Sequence, residues 1–389
     1  MEALEQTFEQ GYHADKVVER ILKSNKKWGA RDRAFIAEST YEIIRWWRYL
    51  WELYGKTPSL HRKELYRVFG VWWQLKGKEL PAWPPFERVQ NFDVKKAQAS
   101  MPQDVGVQQS FPIWIDEIGQ ATFGKKWEQI AKDLNSEAGV IIRANTHKTQ
   151  RKELQKKLHE EGIDTLLVAN TPDGLVFKER SNFFRNESFQ KGWFEVQDGG
   201  SQQIAPFLEV TPGMRVIDAC AGAGGKTLHL SALMQNKGVI IAMDVEERKL
   251  TELKRRAKRN GAHNIEIKAI EGSKTVKRLK NTADRLLLDV PCSGLGVIKR
   301  NPDSKWKLSP EKLEELIELQ QQILHQYSAM LKVGGKMVYA TCSILPAENE
   351  EQVALFLSTH PDFNLEAEDN LLPADTNDGF YMARLVKNG

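Results

Sequence analysis

The stretch RVIDACAGAGGKT, residues 215–227, decides the fold of the second half of the chain. A short apolar run ends at Asp218, a glycine-rich turn follows directly, and a helical pattern begins near Lys226. Glycines have no side chain that would keep a ligand away from the backbone, and the first amides of a helix have no partner within the helix. The stretch therefore predicts a strand, a ligand-binding turn and the start of a helix.

Four further apolar runs follow at the spacing of alternating strands and helices. They are GVIIAMD at 238–244, NIEIKAI at 264–270, RLLLDV at 285–290 and KMVYATC at 336–342. Helical patterns such as EERKLTELKRRAKRN separate them, and this alternation favours a parallel sheet with right-handed crossovers. We therefore predict a doubly wound, Rossmann-like α/β domain over residues 196–389, with ligands at the carboxyl ends of its strands.

The glycine-rich turn fits neither of two common nucleotide-binding motifs. A P-loop needs glycine where Cys220 stands, and a dinucleotide fingerprint needs a different glycine spacing. The second strand instead ends at Asp244, whose carboxylate can accept hydrogen bonds from both hydroxyls of a ribose. Glu271 follows the third strand, where the edge of an adenine would lie. These residues predict a nucleoside cofactor such as S-adenosylmethionine, and solvated turns are the alternative.

Two cysteines follow the fourth and fifth strands of this domain. Cys292 ends the tetrapeptide DVPC at 289–292 and Cys342 ends ATC at 340–342, so both thiols are expected at the edge that carries the glycine-rich turn. Buried structural cysteine is the ordinary alternative for a single thiol, and it is the interpretation that we favour for Cys220.

The chemistry of a thiol beside a methyl donor suggests a pyrimidine substrate. Carbon 5 of a pyrimidine is a weak nucleophile, but a thiolate that adds to carbon 6 places electron density on carbon 5. Asp289 would then protonate or hydrogen-bond ring nitrogen N3. The sequence thus predicts methyl transfer to carbon 5, with cysteine as the covalent catalyst.

The first half of the chain predicts three smaller parts. Apolar and aromatic residues recur at helical spacing over residues 1–75, which indicates a helical domain. Seven of the eleven tryptophans precede residue 84, and we expect them in its core rather than stacked on RNA bases. Residues 76–112 hold five of the fifteen prolines and are expected to be a linker. Residues 113–195 alternate between helix and strand and predict a small α+β subdomain.

Composition excludes several classes of protein. Hydrophobic residues make up 41% of the 389 residues and charged residues 28%, as in a globular protein. The mean hydropathy is −0.50 and no long apolar run occurs, so no membrane-spanning segment is expected. The N-terminus MEALEQTFEQ is acidic where a signal peptide would be basic. Three well-separated cysteines suit neither a disulfide framework nor a zinc site, so we expect a cytoplasmic, metal-free protein with free thiols. We also expect a monomer.

The net charge of +4 is unevenly distributed. Residues 251–300 carry 13 Lys and Arg against 5 Asp and Glu, whereas residues 301–389 carry 7 against 14. A positive surface can attract a polyanion such as RNA. The alternating charges of KLTELKRRAKRNG also suit a solvated helix face, so charge alone leaves both interpretations open.

Four motifs of the second half carry a resemblance to a known family. They are VIDACAGAGGKTLHL at 216–230, LLLDVPCSGLGVIKRNPDSKW at 286–306, YATCSILPAENEEQV at 339–353 and DGFYMARL at 378–385. Together with VQDGGSQQIAPFLEVTPG at 196–213, they resemble the catalytic domain of the Sun-type RNA cytosine-C5 methyltransferases, the RsmB/NSUN family. The resemblance implies that Cys342 of the TCS motif is the nucleophile and that Cys292 assists release of the methylated RNA. An exchange of the two roles is the alternative.

The first half is similar to the same family with less specific motifs. ARDRAFIAESTYEIIRWWRYL at 30–50 is similar to the NusB-like helical domain of its ribosomal RNA members, and GVIIRANTHKTQRKELQKKL at 139–158 resembles their RNA-recognition-like (RRM-like) subdomain. Two departures concern the cofactor: Gly222 and Ala223 stand where the family usually has Ala-Pro, and Glu271 stands where it usually has Asp.

The resemblance also implies contacts to cofactor and RNA. The cofactor contacts fall on Cys220, Ala221, Gly222, Ala223, Gly224, Gly225, Lys226, Asp244, Glu271 and Asp289. Lys226 is expected to steady the methionine carboxylate, with capping of loop carbonyls as the alternative. Lys299 and Arg300 are expected either to approach the RNA backbone or to hold the active-site loop. The target base must be flipped out of any stem, which favours single-stranded loops.

These observations predict an RNA cytosine-C5 methyltransferase that uses S-adenosylmethionine and forms 5-methylcytidine in 16S rRNA. One alternative is the same reaction on transfer RNA or another RNA. A second is a catalytically silent RNA-binding factor of ribosome assembly, which the presence of both thiols and Asp289 disfavours. A third, a P-loop NTPase, is disfavoured by Cys220.

Overall fold

The computed structural model describes residues 1–389, which divide into two compact units. The helical unit comprises residues 1–137 and 298–310, and the sheet unit comprises residues 138–297 and 311–389. The predicted boundaries at 112 and 195 do not coincide with this division. The predicted fold class, however, is confirmed: a helical N-terminal region, a small α+β subdomain and a Rossmann-like α/β domain are all present.

The helical unit is built around the aromatic residues of the N-terminal helices. Trp47, Trp51 and Trp72 are all buried, and Phe8 stacks on Trp47 with ring centroids 4.1 Å apart. These rings lie in the core because they recur at helical spacing on faces that pack together. The α-helices of this unit span Glu2–Phe8, Ala14–Ser24, Ala30–Arg45, Trp47–Tyr54, Arg62–Leu75, Val94–Ala99, Val105–Gln108, Ile113–Phe123, Trp127–Asn135 and Ser304–Lys307, with 3-10 turns at Pro84–Val89 and Gly124–Lys126.

Residues 76–112 are not a linker, and the prediction for them was wrong. Phe86, Val89, Val107 and Phe111 are each at most 3% exposed and contribute to the core of the helical unit. The prolines break the stretch into a 3-10 turn and short helices, so its apolar residues follow no helical period. The buried apolar side chains come from several short elements, so their spacing in the sequence does not reveal that they are buried.

Residues 298–310 lie outside the sheet unit, although they fall within the predicted 196–389 domain. Lys305 is 0% exposed and donates to Oδ1 of Asn135 at 2.9 Å. Trp306 donates its indole N–H to the carbonyl of Ile44 at 2.7 Å. The segment is thus held by contacts within the helical unit, whereas the sequence analysis assigned it to the 196–389 domain.

The small subdomain is a four-stranded antiparallel sheet. Its strands are β1 (Ile141–Ala144), β2 (Thr165–Leu167), β3 (Gly174–Phe177) and β4 (Phe194–Val196), in the order β2-β3-β1-β4. Helix Arg151–Glu160 buries Leu154 and Leu158 in the core that also holds Phe194. The remaining elements are the 3-10 turn Phe183–Arg185 and helix Glu187–Gln190.

The large sheet has seven strands in the order β10-β11-β9-β8-β5-β6-β7. Its strands are β5 (Arg215–Asp218), β6 (Val239–Asp244), β7 (Ile265–Ala269), β8 (Ala283–Asp289), β9 (Leu331–Thr341), β10 (Phe363–Leu371) and β11 (Phe380–Lys387). Its helices span Gly199–Phe207, Gly225–Leu233, Glu247–Asn260, Ser273–Lys277, Pro310–Tyr327 and Glu350–Thr359, with 3-10 turns at Leu295–Val297, Ser328–Met330 and Pro346–Glu348. None of the helices is long and apolar enough to cross a membrane.

The five predicted strands are the five parallel strands of this sheet. The order reverses between β5 and β8, because the chain proceeds outward through β6 and β7 and then returns to the other side of β5. Ligands of doubly wound sheets bind at such a reversal. The predicted sheet was wholly parallel, whereas β11 pairs antiparallel with β9 and β10 completes a hairpin. Most of β10 is exposed and polar, so it lacks the apolar run of a buried strand.

Candidate active site

The glycine-rich turn after β5 closes on the carboxylate at the end of β6. Gly222 donates its N–H to Oδ2 of Asp244 at 2.9 Å, and Glu246 donates its N–H to Oδ1 at 2.8 Å. Gly222 and Gly224 have φ values of +53° and +89°, in the left-handed region that glycine adopts without steric cost. A Cβ at Gly224 would also lie 2.6 Å from Cγ of Leu253. The carboxylate is therefore held in one orientation, and each oxygen keeps a lone pair for a ligand.

Asp218, the last residue of β5, is a buried carboxyl group beneath this turn. Its Oδ2 accepts the hydroxyl of Thr227 at 2.7 Å, whereas Oδ1 has no partner within the protein. Burial raises the pKa of Asp218 to about 7, against the opposing effect of the Thr227 hydrogen bond. The charges of Asp289 and Asp244 raise it further. The carboxylates at two neighbouring strand ends thus act on Asp218.

Lys226 and Asp289 form an ion pair across the reversal between β5 and β8. The Nζ of Lys226 is 2.6 Å from Oδ2 of Asp289, and it lies over the Phe380 ring at 5.5 Å from the centroid. Burial alone would lower the pKa of Lys226, but the charge of Asp289 and the hydrogen bond to it outweigh burial and raise it. The sequence analysis gave these two residues separate roles, and the structure brings them together as one pair.

The two predicted cysteines lie side by side. β8 runs parallel to β9 with Asp289 opposite Ala340, so the residues that follow both strands emerge at the same edge. Sγ of Cys292 is 3.1 Å from Sγ of Cys342, and the backbone N–H of Cys342 donates to Sγ of Cys292 at 3.2 Å. Gly296 of the first loop donates its N–H to the carbonyl of Cys342 at 2.9 Å. The geometry therefore places both thiols at one site.

The environment of the thiols distinguishes them. The hydrogen bond with Cys342, followed by burial, raises the pKa of Cys292 well above its ordinary value. Cys292 therefore holds its proton more tightly than an ordinary cysteine. Burial and the charge of Asp218 also raise the pKa of Cys220, which packs against the core of the sheet unit as expected for a structural thiol.

A buried carboxylate that the sequence analysis overlooked connects the two cysteine loops. Oε1 of Glu348 accepts the backbone N–H of Ser293, and Oε2 accepts the hydroxyls of Ser293 and Ser343. These two serines directly follow Cys292 and Cys342. Glu348 is 0% exposed. The repeated Cys-Ser pair and the downstream glutamate of the 339–353 motif were the only sequence features that could have indicated this contact.

The remaining predicted site residues are Glu271, Lys299 and Arg300. Glu271 is exposed in the turn between β7 and helix Ser273–Lys277. Lys299 and Arg300 belong to the helical unit, where Lys299 is 2% exposed and its carbonyl accepts Nη2 of Arg45 at 2.9 Å. A side chain so deeply buried has little surface that a phosphate could contact. The expected contact of Lys299 with RNA remains a prediction.

Two family profiles match the chain. The profile described as 16S rRNA methyltransferase RsmB/F matches residues 205–386. The profile of the ferredoxin-like domain of RsmF/B-like methyltransferases matches residues 111–183. The protein of Synechocystis sp. named "Probable ribosomal RNA small subunit methyltransferase B" is 36% identical over 305 residues, which cover 73% of this chain and 68% of that protein.

Solved structures share the same architecture. The crystal structure of PH0851 has a TM-score of 0.83 and 26% identity, and the match covers 99% of this chain and 98% of that one. NSun6 from Pyrococcus horikoshii, solved with SFG, has a TM-score of 0.66 and 22% identity over 72% of this chain and 99% of its own, and so supports the fold. The family profile, the curated relative and the fold agree, and the chain belongs to the RsmB/F family of 16S rRNA methyltransferases.

Proposed function

We propose that this protein transfers a methyl group from S-adenosylmethionine to carbon 5 of a cytosine in small-subunit ribosomal RNA. The observation that carries the proposal is the 3.1 Å separation of the Cys292 and Cys342 sulfurs at adjoining strand ends. Methyl transfer to an amine or a hydroxyl needs no thiol, whereas carbon 5 of a pyrimidine needs covalent activation. The name of the Synechocystis relative supports small-subunit ribosomal RNA as the substrate. The protein would act on this RNA in the cytoplasm.

The residues of the glycine-rich turn fit S-adenosylmethionine. Asp218 and Asp244 place two carboxyl groups beside the turn, and Asp289 adds a third that is paired with Lys226. Such surroundings suit a ligand with a sulfonium and an ammonium group. The buried Oδ1 of Asp218 lacks a protein partner and is available to a cationic group. Asp244 would hold the ribose hydroxyls, Glu271 would approach the adenine, and the backbone of residues 220–226 would line the methionine. When bound, S-adenosylmethionine supplies an electrophilic methyl group, and the NSun6 structure holds SFG, an analogue of it.

Cys342 is proposed as the nucleophile. Its sulfur forms a bond to carbon 6 of the flipped cytosine, and the electron pair of the double bond between carbons 5 and 6 moves onto carbon 5 and the conjugated N3. Asp289 provides a hydrogen bond or proton at N3, and the protonated Lys226 at 2.6 Å from its carboxylate is the partner that can resupply that proton. The two sulfurs lie 3.1 Å apart, and a Cys292 thiol that donates across this distance would stabilise a Cys342 thiolate before attack.

Cys292 is proposed to act in release. Its pKa is raised first by its hydrogen bond with Cys342, and a Cys342 sulfur bound to carbon 6 as a thioether is only a weak partner for that bond. Once Cys292 has released its own proton to solvent, its thiolate can accept the proton of carbon 5. Loss of that proton re-forms the double bond between carbons 5 and 6 and returns the sulfur electrons to Cys342.

A methyl-transfer assay tests the proposal. Purified protein is incubated with S-adenosylmethionine labelled in its methyl group and with small-subunit ribosomal RNA, and bisulfite sequencing locates the modified cytosine. We expect incorporation at a defined cytosine, a loss of about 10³-fold or more in Cys342→Ala, and wild-type rates in the exposed control Ser358→Ala. Label in transfer RNA alone would change the substrate class. RNA binding without methylation of any RNA would contradict the proposal and favour a silent assembly factor.

A further inference from the structure

Glu348 is a buried acidic residue that no step proposed above uses. It lies in the 3-10 turn Pro346–Glu348 and is 0% exposed. Its Oε1 accepts the backbone N–H of Ser293 at 2.7 Å and a side-chain N–H of Gln320 at 3.0 Å. Its Oε2 accepts the hydroxyls of Ser293 and Ser343. A carboxylate buried in this way requires a full set of donors, and here four donors meet its four lone-pair positions.

The two serines connect this carboxylate to both cysteines. Ser293 and Ser343 directly follow Cys292 and Cys342, so each hydrogen bond to Glu348 acts within one residue of a thiol. Each hydroxyl also accepts a backbone N–H of its own loop, from Leu295 at 3.3 Å and from Leu345 at 3.1 Å. The serine hydroxyls are thereby oriented to donate toward Glu348. One carboxylate thus holds two loops that are 50 residues apart in sequence.

Further hydrogen bonds hold the backbone of Glu348 and the two cysteine loops. The hydroxyl of Tyr339 donates to the carbonyl of Glu348 at 2.6 Å. Gln320, which donates to Glu348, also donates to the carbonyl of Pro291 at 3.0 Å and so holds the first cysteine loop from a second side. Asn349 donates to the carbonyl of Ser343 at 3.2 Å and holds the second loop. The carboxylate is thus part of a buried network of hydrogen bonds that reaches both cysteine loops.

We propose that Glu348 is a positioning residue that sets the separation of the Cys292 and Cys342 sulfurs by clamping Ser293 and Ser343. The inference rests on the function proposed above, because the spacing of two thiols matters only if both act on one substrate. Displacement of a reacting group by about 1 Å costs on the order of 10²-fold in rate. Loss of the clamp should therefore reduce the rate of the chemical step while leaving RNA binding nearly unchanged.

Disulfide closure measures the separation of the thiols without RNA or cofactor. Diamide takes two electrons and two protons from a pair of neighbouring thiols, which leaves a disulfide and the corresponding hydrazine. Full-length protein is treated with diamide, and the Cys292–Cys342 disulfide is followed by peptide mass spectrometry. We expect rapid closure in the wild type and closure at least about 10-fold slower in Glu348→Gln, where the carboxamide presents an N–H to one serine hydroxyl and disrupts the clamp.

Matched variants separate positioning from loss of folding. Glu351→Gln changes an exposed glutamate of the next helix and should close at the wild-type rate. Ser293→Ala and Ser343→Ala should each slow closure, and combining either with Glu348→Gln should add little, because the three residues act together. Circular dichroism and urea denaturation verify that each variant is folded. Should Glu348→Gln not fold, the two serine variants provide the test.

A kinetic measurement completes the experiment. We expect kcat for RNA methylation to fall by about 10²-fold in Glu348→Gln with KM for RNA changed less than about 3-fold. Closure at the wild-type rate in Glu348→Gln and in both serine variants would overturn the clamp, as would a wild-type protein that closes no disulfide. Closure that depends on Glu348 in a protein that methylates no RNA would support the clamp and refute the proposed function, so the two failures are distinguishable.

Discussion

Asp218→Asn is expected to stabilise the protein in a manner that depends on pH. Burial raises the pKa of Asp218 to about 7 in the folded protein from an ordinary 3.8. A carboxyl group whose folded-state pKa is raised favours the folded state at low pH, and this contribution is lost as the pH rises through the folded-state pKa. Asparagine retains the acceptor for Thr227 but does not ionise. The advantage of the variant over the wild type should therefore grow between pH 5 and pH 8.

The magnitude follows from the two pKa values. Between pH 5 and about pH 7, Asp218 holds its proton in the folded protein but has released it in the unfolded chain. At about 1.4 kcal/mol per pH unit, the free energy of unfolding of the wild type should fall by about 2 to 3 kcal/mol relative to the variant. Urea denaturation of both proteins at pH 5 and pH 8 measures the difference in free energy of unfolding. Thr227→Val removes a hydrogen bond that lowers this pKa, so its deficit relative to the wild type should be larger at pH 8 than at pH 5. A difference between Asp218→Asn and wild type that stays constant over this range would refute the reasoning.

Four further substitutions test three separate parts of the structure. Gly296→Ala should lower the free energy of unfolding by about 1–3 kcal/mol and slow methylation, because an added Cβ would lie 2.2 Å from the carbonyl oxygen of Gly379; unchanged stability by urea denaturation would contradict this close packing. Lys226→Met and Asp289→Asn should each slow methylation by about 10²-fold or more, and the double variant should be hardly slower than the worse single one; fully multiplicative losses would argue against a coupled pair. Phe86→Ala should lower the stability of the helical unit by about 3–5 kcal/mol, since Phe86 is 3% exposed; a loss below 1 kcal/mol would indicate that this side chain packs loosely.

The sequence was sufficient to predict the parallel part of the sheet and the neighbourhood of the two thiols. Buried parallel strands are continuous apolar runs, so the carboxyl end of each strand could be located to within a residue or two. Once Asp289 and Ala340 are assigned to adjacent strand ends, the sheet itself brings Cys292 and Cys342 together. The same reasoning placed Asp244 next to the glycine-rich turn.

The remaining features depend on contacts between distant parts of the chain. Glu348 reads as one acidic residue among several in ENEE, and only the folded loops show that it is fully buried. The packing of residues 298–310 into the helical unit likewise rests on single contacts, such as Trp306 with the carbonyl of Ile44, which leave no pattern in sequence. The ion pair between Lys226 and Asp289 was not predicted, because the sequence analysis assigned Lys226 to the methionine carboxylate and Asp289 to ring nitrogen N3.

Covalent trapping of RNA tests most directly whether Cys342 attacks the substrate and Cys292 releases it. Each cysteine variant is incubated with S-adenosylmethionine and small-subunit ribosomal RNA, resolved on a denaturing gel, and digested for mass spectrometry. The proposed roles predict that Cys292→Ala accumulates a protein–RNA adduct attached through Cys342, that Cys342→Ala forms none, and that the double variant forms none. An adduct in Cys342→Ala attached through Cys292 would exchange the roles, and methylation that persists in both single variants would contradict thiol catalysis altogether.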